Sequence, residues 1–386
     1  MTLRELPRLT DVEERIKTTT KLTQVDDILH TFWVQISQEE WNGGVLKDSS
    51  IDLVIHDVSS VEERTHIIES FWNERFSTGR SFIKYAILRH VSGKRELITK
   101  MDHAVYDGTL LRIFDDHFST IQRGHPIPPH EQFKNFADYM YHTDKPSSLA
   151  FWTNLIHNHN PPYPNIANPH ITASITKPLH LTLDAFSKEN SITSSIIFQA
   201  AFQLTLARAT SSRDISFDYL LSGRNVDLPS PQLINGNTAN FLPFRSRIAA
   251  GVSAKQYLQD TQDLFWAATE HGNVGLEAIY RAAGVDRKES GNRALFLFQP
   301  FEPVAAGADG EDGRMQWVVM AKSEVRMFQP YGLVVEVGRM VGYRVKVMFD
   351  EGGFGRSDAE RIADVMVGLV GRIVGDVGVE AMSLLL

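Results

Sequence analysis

Cysteine is absent from the chain. Its absence excludes a disulfide scaffold, thiolate metal sites and a cysteine nucleophile together. No run of about eighteen apolar residues occurs, and the opening Met1-Thr2-Leu3-Arg4-Glu5-Leu6-Pro7 has no apolar signal core, so neither a membrane-spanning helix nor a secretory leader is expected. Positive charge is the minority sign: 39 Lys and Arg against 47 Asp and Glu give a net charge of −8. That balance speaks against nucleic acid or an anionic membrane as the main partner. Internal repeats, low-complexity tracts and a Gly-x-Ser-x-Gly elbow are lacking too. The expectation is a cytoplasmic protein.

What is present is enough apolar matter for a large core, 42% of 386 residues, in two domains or two halves of one unit. The proline-rich stretch from Asn158 to Thr172 is the natural linker, giving domains 1–160 and 161–386. His157 and His159 at its edge have no nearby carboxylate and read as solvated. Residues 10–29 read as a capped helix. Thr31–Ile36 and Ile51–Ile55 read as strands interrupted by Trp41-Asn42-Gly43-Gly44, and Ser60–Phe76 as a second helix. Ser81–Leu88 and Arg95–Met101 form a hairpin across Ser92-Gly93-Lys94. Further on, Leu179–Leu183 reads as a strand, Ser191–Ala209 as a strongly apolar helix and Ile215–Leu221 as a strand. Asn240–Ile248 carries an internal proline, so it belongs at a sheet edge or at a switch between sheets. Ser253–Glu270 and Asp358–Val374 read as helices. Ala294–Gln299, Gln316–Met320, Gly332–Val337 and Tyr343–Phe349 read as strands, with Ala305–Gly313 a flexible hairpin tip. Strands and helices mix in both halves, so the class is α/β or α+β with two sheets.

The hairpin leads into His103-Ala104-Val105-Tyr106-Asp107-Gly108. Leu110, Leu111, Phe114, Phe118 and Ile121 follow at helical spacing. A histidine where a strand ends and a helix begins is aimed by two rigid elements, as a general base needs. Asp107 before Gly108 also suits a helix N-cap, with the histidine incidental.

Beyond the motif, the ordered segments resemble the condensation domains of nonribosomal peptide synthetases, in the chloramphenicol-acetyltransferase-like superfamily. Ile28-Leu29-His30-Thr31-Phe32 with Gly43-Gly44-Val45-Leu46-Lys47 is similar to that family's early passage. Met101-Asp102-His103-Ala104-Val105-Tyr106-Asp107-Gly108 resembles its HHxxxDG signature. Ile192–Ala201 with Ser212–Phe217, Ser222-Gly223-Arg224-Asn225, and Gly236–Arg245 resemble its later motifs. The likeness runs from about residue 20 to 375, and its short form is most similar to the terminal condensation-like domains of fungal synthetases.

The resemblance implies an α/β fold of two acetyltransferase-like subdomains in a V-shaped pseudo-dimer, with His103 in a tunnel between them. It implies a monomer acting on thioesters carried on the phosphopantetheine arms of acyl or peptidyl carrier proteins, with no bound cofactor or metal. The carried-over roles are His103 as general base or orienter, and Asp107, paired with Arg224, as a structural carboxylate beside Gly108. Asn240 becomes a donor toward substrate, and Asp102 is counted with it as substrate-binding.

Two departures stand out. Asp102 replaces the usual histidine: a carboxylate there either raises the imidazole pKa or points away along the extended backbone. The N-terminal part reads as shortened, the chain starting too late for the strand and loop that relatives carry before the first helix. Competing readings are an acyl-CoA-dependent acyltransferase, disfavoured because Tyr331-Gly332 and Gly352-Gly353-Phe354-Gly355 do not match that branch's DFGWG motif, and a degenerate domain that docks a carrier protein without chemistry.

Overall fold

Residues 83–101 fold as the expected hairpin, and one unit of the chain is built around it. In the computed structural model the described residues are 2–6, 12–36, 41–47, 51–77, 79–158, 161, 169–299, 331–340 and 342–385. The chain divides into two compact units, one holding Met1–His142 and Arg224–Ala239, the other Thr143–Gly223 and most of the chain from Asn240 onward. The helix Lys145–Ile156 thus belongs with the second unit, and the segment after Gly223 returns to the first.

The first unit contains β1 (Thr2–Leu6), α1 (Val12–Val25), β2 (Thr31–Gln35), β3 (Trp41–Val45), β4 (Leu53–Val58), α2 (Val61–Asn73), β5 (Ile83–His90), β6 (Arg95–Met101), α3 (Gly108–Gln122) and α4 (Phe133–His142). Its sheet runs β1-β6-β5-β4, antiparallel except for the parallel β4–β5 pair. Ile83, Tyr85 and Ile87 pack on one face with Leu110, Phe114 and Phe118 of α3, while Ala86 and Leu88 pack on the other with Ile68 and Phe71 of α2. A strand buried on both faces has little reason to alternate apolar with polar, which is why this hairpin shows no clean alternation.

Three expectations are corrected here. A strand does precede the first helix: β1 pairs with β6 from Thr2 opposite Thr99 to Leu6 opposite Arg95. The helix expected over residues 10–29 ends at Val25 and gives way to a 3-10 turn, Asp27–His30. Trp41-Asn42-Gly43-Gly44, read as a break, lies in the strand Trp41–Val45 paired with β2. A Cβ on Gly43 would sit 2.8 Å from the Trp33 ring, and one on Gly44 2.6 Å from the Phe32 ring. These glycines make room for aromatic rings across the pair, which pattern reading mistakes for a turn.

In the second unit six strands lie in the order Asn240–Arg247, Asp214–Leu221, Ala294–Gln299, Leu333–Met340, Gly342–Phe349, Ala173–Leu179. The proline-bearing strand is at the edge, one of the two placements expected for it. The strand expected over 179–183 instead ends at Leu179, and a helix, Asp184–Asn190, follows. Ser194–Thr210 is buried nearly all round and packs on one sheet face with Phe217, Phe296 and Val335. A helix covered on nearly every side needs no polar stripe, and apolar residues accordingly recur all round it, with Gln199, Gln203 and Thr205 buried among them. Asp218 is buried within the sheet and accepts hydrogen bonds from Tyr280, Asn292 and Tyr331. The hairpin tip 305–313, the strand 316–320, His159 and most of the linker 158–172 lie outside the described residues. Among those described, no helix is long and apolar enough to cross a membrane.

Candidate functional site

β6 and α3 meet in a short turn, and the motif occupies it. The Asp102 N–H donates to Phe82 O at 3.0 Å, extending the strand ladder by one residue, and the Val105 N–H donates to Asp102 O at 3.2 Å, closing the turn. Val105 is buried and anchors this turn in the core of the first unit. The Asp102 carboxylate accepts the Ala104 N–H at 2.9 Å. Of the two orientations open from sequence, it takes one that serves the turn's own backbone.

His103 is exposed. Its ring stacks on that of Tyr106, centroids 4.4 Å apart and planes 17° apart. The Asn237 side-chain amide donates to His103 O at 2.9 Å, holding the backbone and leaving the imidazole free of that contact. Among the described residues no side chain hydrogen-bonds its ring nitrogens. Burial, and secondarily the Asp102 charge, push the Tyr106 phenol above its ordinary pKa, so the stacking partner stays a neutral ring.

Asp107 serves as both cap and ion-pair partner. One carboxylate oxygen accepts the N–H groups of Thr109 at 3.0 Å and Leu110 at 2.8 Å. It also accepts from Arg224 Nη2 at 3.0 Å, while the other oxygen takes the Thr238 N–H at 3.3 Å. Arg224, only 2% exposed, further donates to Ile234 O at 3.2 Å, to Gly236 O at 3.0 Å and to the Thr238 hydroxyl. Burial lowers its pKa from the ordinary guanidinium value, and the Asp107 charge opposes that fall. The two-residue strands Glu131–Gln132 and Ile234–Asn235 pair in parallel nearby in the chain, and a Cβ on Gly236 would meet the Phe133 ring at 2.1 Å. So the segment 224–239 is locked onto the first unit at both ends.

The remaining predicted positions differ. Gly108 opens α3, and a Cβ there would meet nothing within 4 Å. Its backbone does not require glycine; the glycine leaves open space at the helix start. Asn240, read as a donor toward substrate, has both amide hydrogens committed, to Gly272 O at 3.0 Å and Val274 O at 2.8 Å. An amide nitrogen has two hydrogens, and here both brace the loop 272–274. Asn237, Thr238 and Tyr106 were missed, although Asn237 and Thr238 lie inside the quoted Gly236–Arg245 motif and Tyr106 inside the HxxxDG one. A separate cavity of about 560 Å³ in the first unit is lined by Leu29 and Leu46 of the early passage together with Asp52, Glu74, Lys84 and Tyr85, and by no residue of the HxxxDG turn.

Residues 9–381 match the family model of the condensation domain. Nonribosomal peptide synthetase sidE of Aspergillus fumigatus is 40% identical over 362 residues, covering 92% of this chain and 17% of that protein. Nonribosomal peptide synthetase 7 of the same organism is 36% identical over 395 residues, covering 98% and 16%. The chain therefore spans about one sixth of the length of these relatives. The solved condensation domain from Monacolin K polyketide synthase MokA superposes with a TM-score of 0.73 at 15% identity, over 98% of this chain and 92% of that one. With the HxxxDG turn and its buried arginine in place, and a family match spanning both units, the chain belongs to the condensation-domain family.

Proposed function

We propose that the chain is a condensation-type acyltransferase, forming an amide or ester bond, ring closure included, from a thioester held on a carrier protein's phosphopantetheine arm. The observation that carries this reading is the exposed His103 imidazole, fixed through its backbone and one ring face, with no side chain among the described residues hydrogen-bonded to its nitrogens. His103 takes the proton from an attacking amine or hydroxyl as that nucleophile adds to the thioester carbonyl. The carbon–sulfur bond then breaks, and the departing thiolate of the arm receives a proton. Such general-base help contributes about 10²–10⁴-fold, and positioning of the two reactants adds to it. No covalent acyl-enzyme enters the scheme. Asp107 and Arg224 act through position, keeping the turn and the start of α3 in place. The kinship to fungal synthetases of 36–40% identity supports carrier-bound donors over free acyl-CoA.

Incubation with acyl-loaded carrier protein and an amine acceptor, followed by mass spectrometry, tests the reading. Product that appears with the native chain and disappears with His103→Ala supports it. Carrier binding without product in either chain leaves docking as the function and overturns catalysis.

A further inference from the structure

Beneath α3, away from the motif, Asp26, His117 and His130 converge. Asp26 is 1% exposed and His117 2%. His117 Nδ1 lies 3.1 Å from one Asp26 carboxylate oxygen, and His130 Nε2 lies 3.3 Å from the other. The candidate ligand atoms all fall within 4.8 Å of one another. The two imidazoles meet edge to face, centroids 4.7 Å apart.

Hydrogen-bond chemistry decides what His130 presents to this cluster. Gln132 Oε1 accepts the Asp27 N–H at 3.1 Å, and its amide nitrogen donates to Val25 O at 2.8 Å, so the orientation of the amide is fixed by backbone on both sides. That amide nitrogen is 2.9 Å from His130 Nε2, which therefore accepts and carries a lone pair. The opposite ring nitrogen, Nδ1, is 3.2 Å from Pro128 O, which can only accept, so the proton sits on Nδ1. Hence a lone pair, not an N–H, faces Asp26. In agreement, that buried Asp26 Oδ1 has no hydrogen-bond partner. A lone pair beside a carboxylate oxygen with no hydrogen bond, in the protein interior, presents two donor atoms to a cation. An imidazole whose far N–H is held by a backbone carbonyl is also how metal-ligating histidines are oriented.

We infer that Asp26, His117 and His130 form a binding site for a divalent transition ion of the zinc class. Two imidazoles and one carboxylate suit such an ion and leave a further coordination position for water. Binding displaces the proton from His117 Nδ1 and the Gln132 amide hydrogen from His130 Nε2. The bound ion ties the end of α1, the middle of α3 and the loop before α4 together, so its role is to stiffen the helix that the motif turn leads into.

The test uses the untagged full chain, dialysed against zinc chloride and then gel-filtered, with zinc counted by elemental analysis and melting followed with and without the metal. Cobalt(II) supplies an absorption signature. Retention of about one zinc per chain, a raised melting temperature, and affinity lowered by at least about tenfold in Asp26→Asn and His130→Gln are expected. His142→Gln, at an exposed histidine on α4, retains zinc. His130 lies less deep than Asp26, so its variant keeps the test open should Asp26→Asn fail to fold. A native chain that retains no zinc, or a His130→Gln chain whose zinc affinity falls by less than tenfold, overturns the assignment.

Discussion

Arg224 Nη2 lies 3.0 Å from the Asp107 carboxylate, joining residues far apart in the chain within one unit. The same carboxylate caps α3, so a single side chain sets both the start of the motif helix and the docking of the segment 224–239.

Removing one partner of this buried pair leaves the other desolvated and unpaired. Arg224→Ala is expected to destabilise the protein by about 3–5 kcal/mol. Asp107→Asn is expected to cost less, because an amide oxygen still caps Thr109 and Leu110. Denaturant unfolding of the two variants measures the difference; an Arg224→Ala midpoint equal to the native one would show that the cap alone matters.

His103 contributes a surface ring, and Asn237 grips only its backbone carbonyl. His103→Ala is therefore expected to melt within a few degrees of the native chain while product formation falls by about 10²–10⁴-fold. Equal turnover in the variant removes His103 from the chemistry.

Gly108 has open space around its missing side chain and no backbone need for glycine. Alanine favours helix over glycine by about 0.5–1 kcal/mol, so Gly108→Ala is expected to leave stability unchanged or slightly raised. If the open space admits substrate, turnover falls in the same variant. Loss of stability would instead mean that the glycine is conformational.

Acid should loosen the first unit through Glu96. Burial alone would push this carboxyl up, but hydrogen bonds from Arg64 at 2.7 Å and His90 at 2.8 Å outweigh it and hold the pKa below the ordinary glutamate value. A depressed carboxyl contributes its stability fully above its unfolded value and loses it as pH falls toward the folded one. The native chain is therefore expected to lose stability on acidification through that range, and Glu96→Gln to show a flatter profile there. Circular dichroism melts across the acid range check this; parallel profiles for the two chains count against it.

From sequence alone came whatever depends on neighbours along the chain. The hairpin before His103, the helix α2, the helical face of α3 and the restriction of the strand bearing Pro243 to an edge or a sheet switch were legible, because periodicity, turn residues and proline act locally. The family's ordered motifs were legible as well. Only the tertiary structure decided that Gly43 and Gly44 belong to a strand, since their reason is the Phe32 and Trp33 rings across the pair. It alone committed the Asn240 amide to Gly272 and Val274, and it alone brought Asp26, His117 and His130 together. Spacing reports which residues share a face. It carries no record of which distant carbonyl or carboxylate a side chain will meet, because that contact exists only once the core has closed.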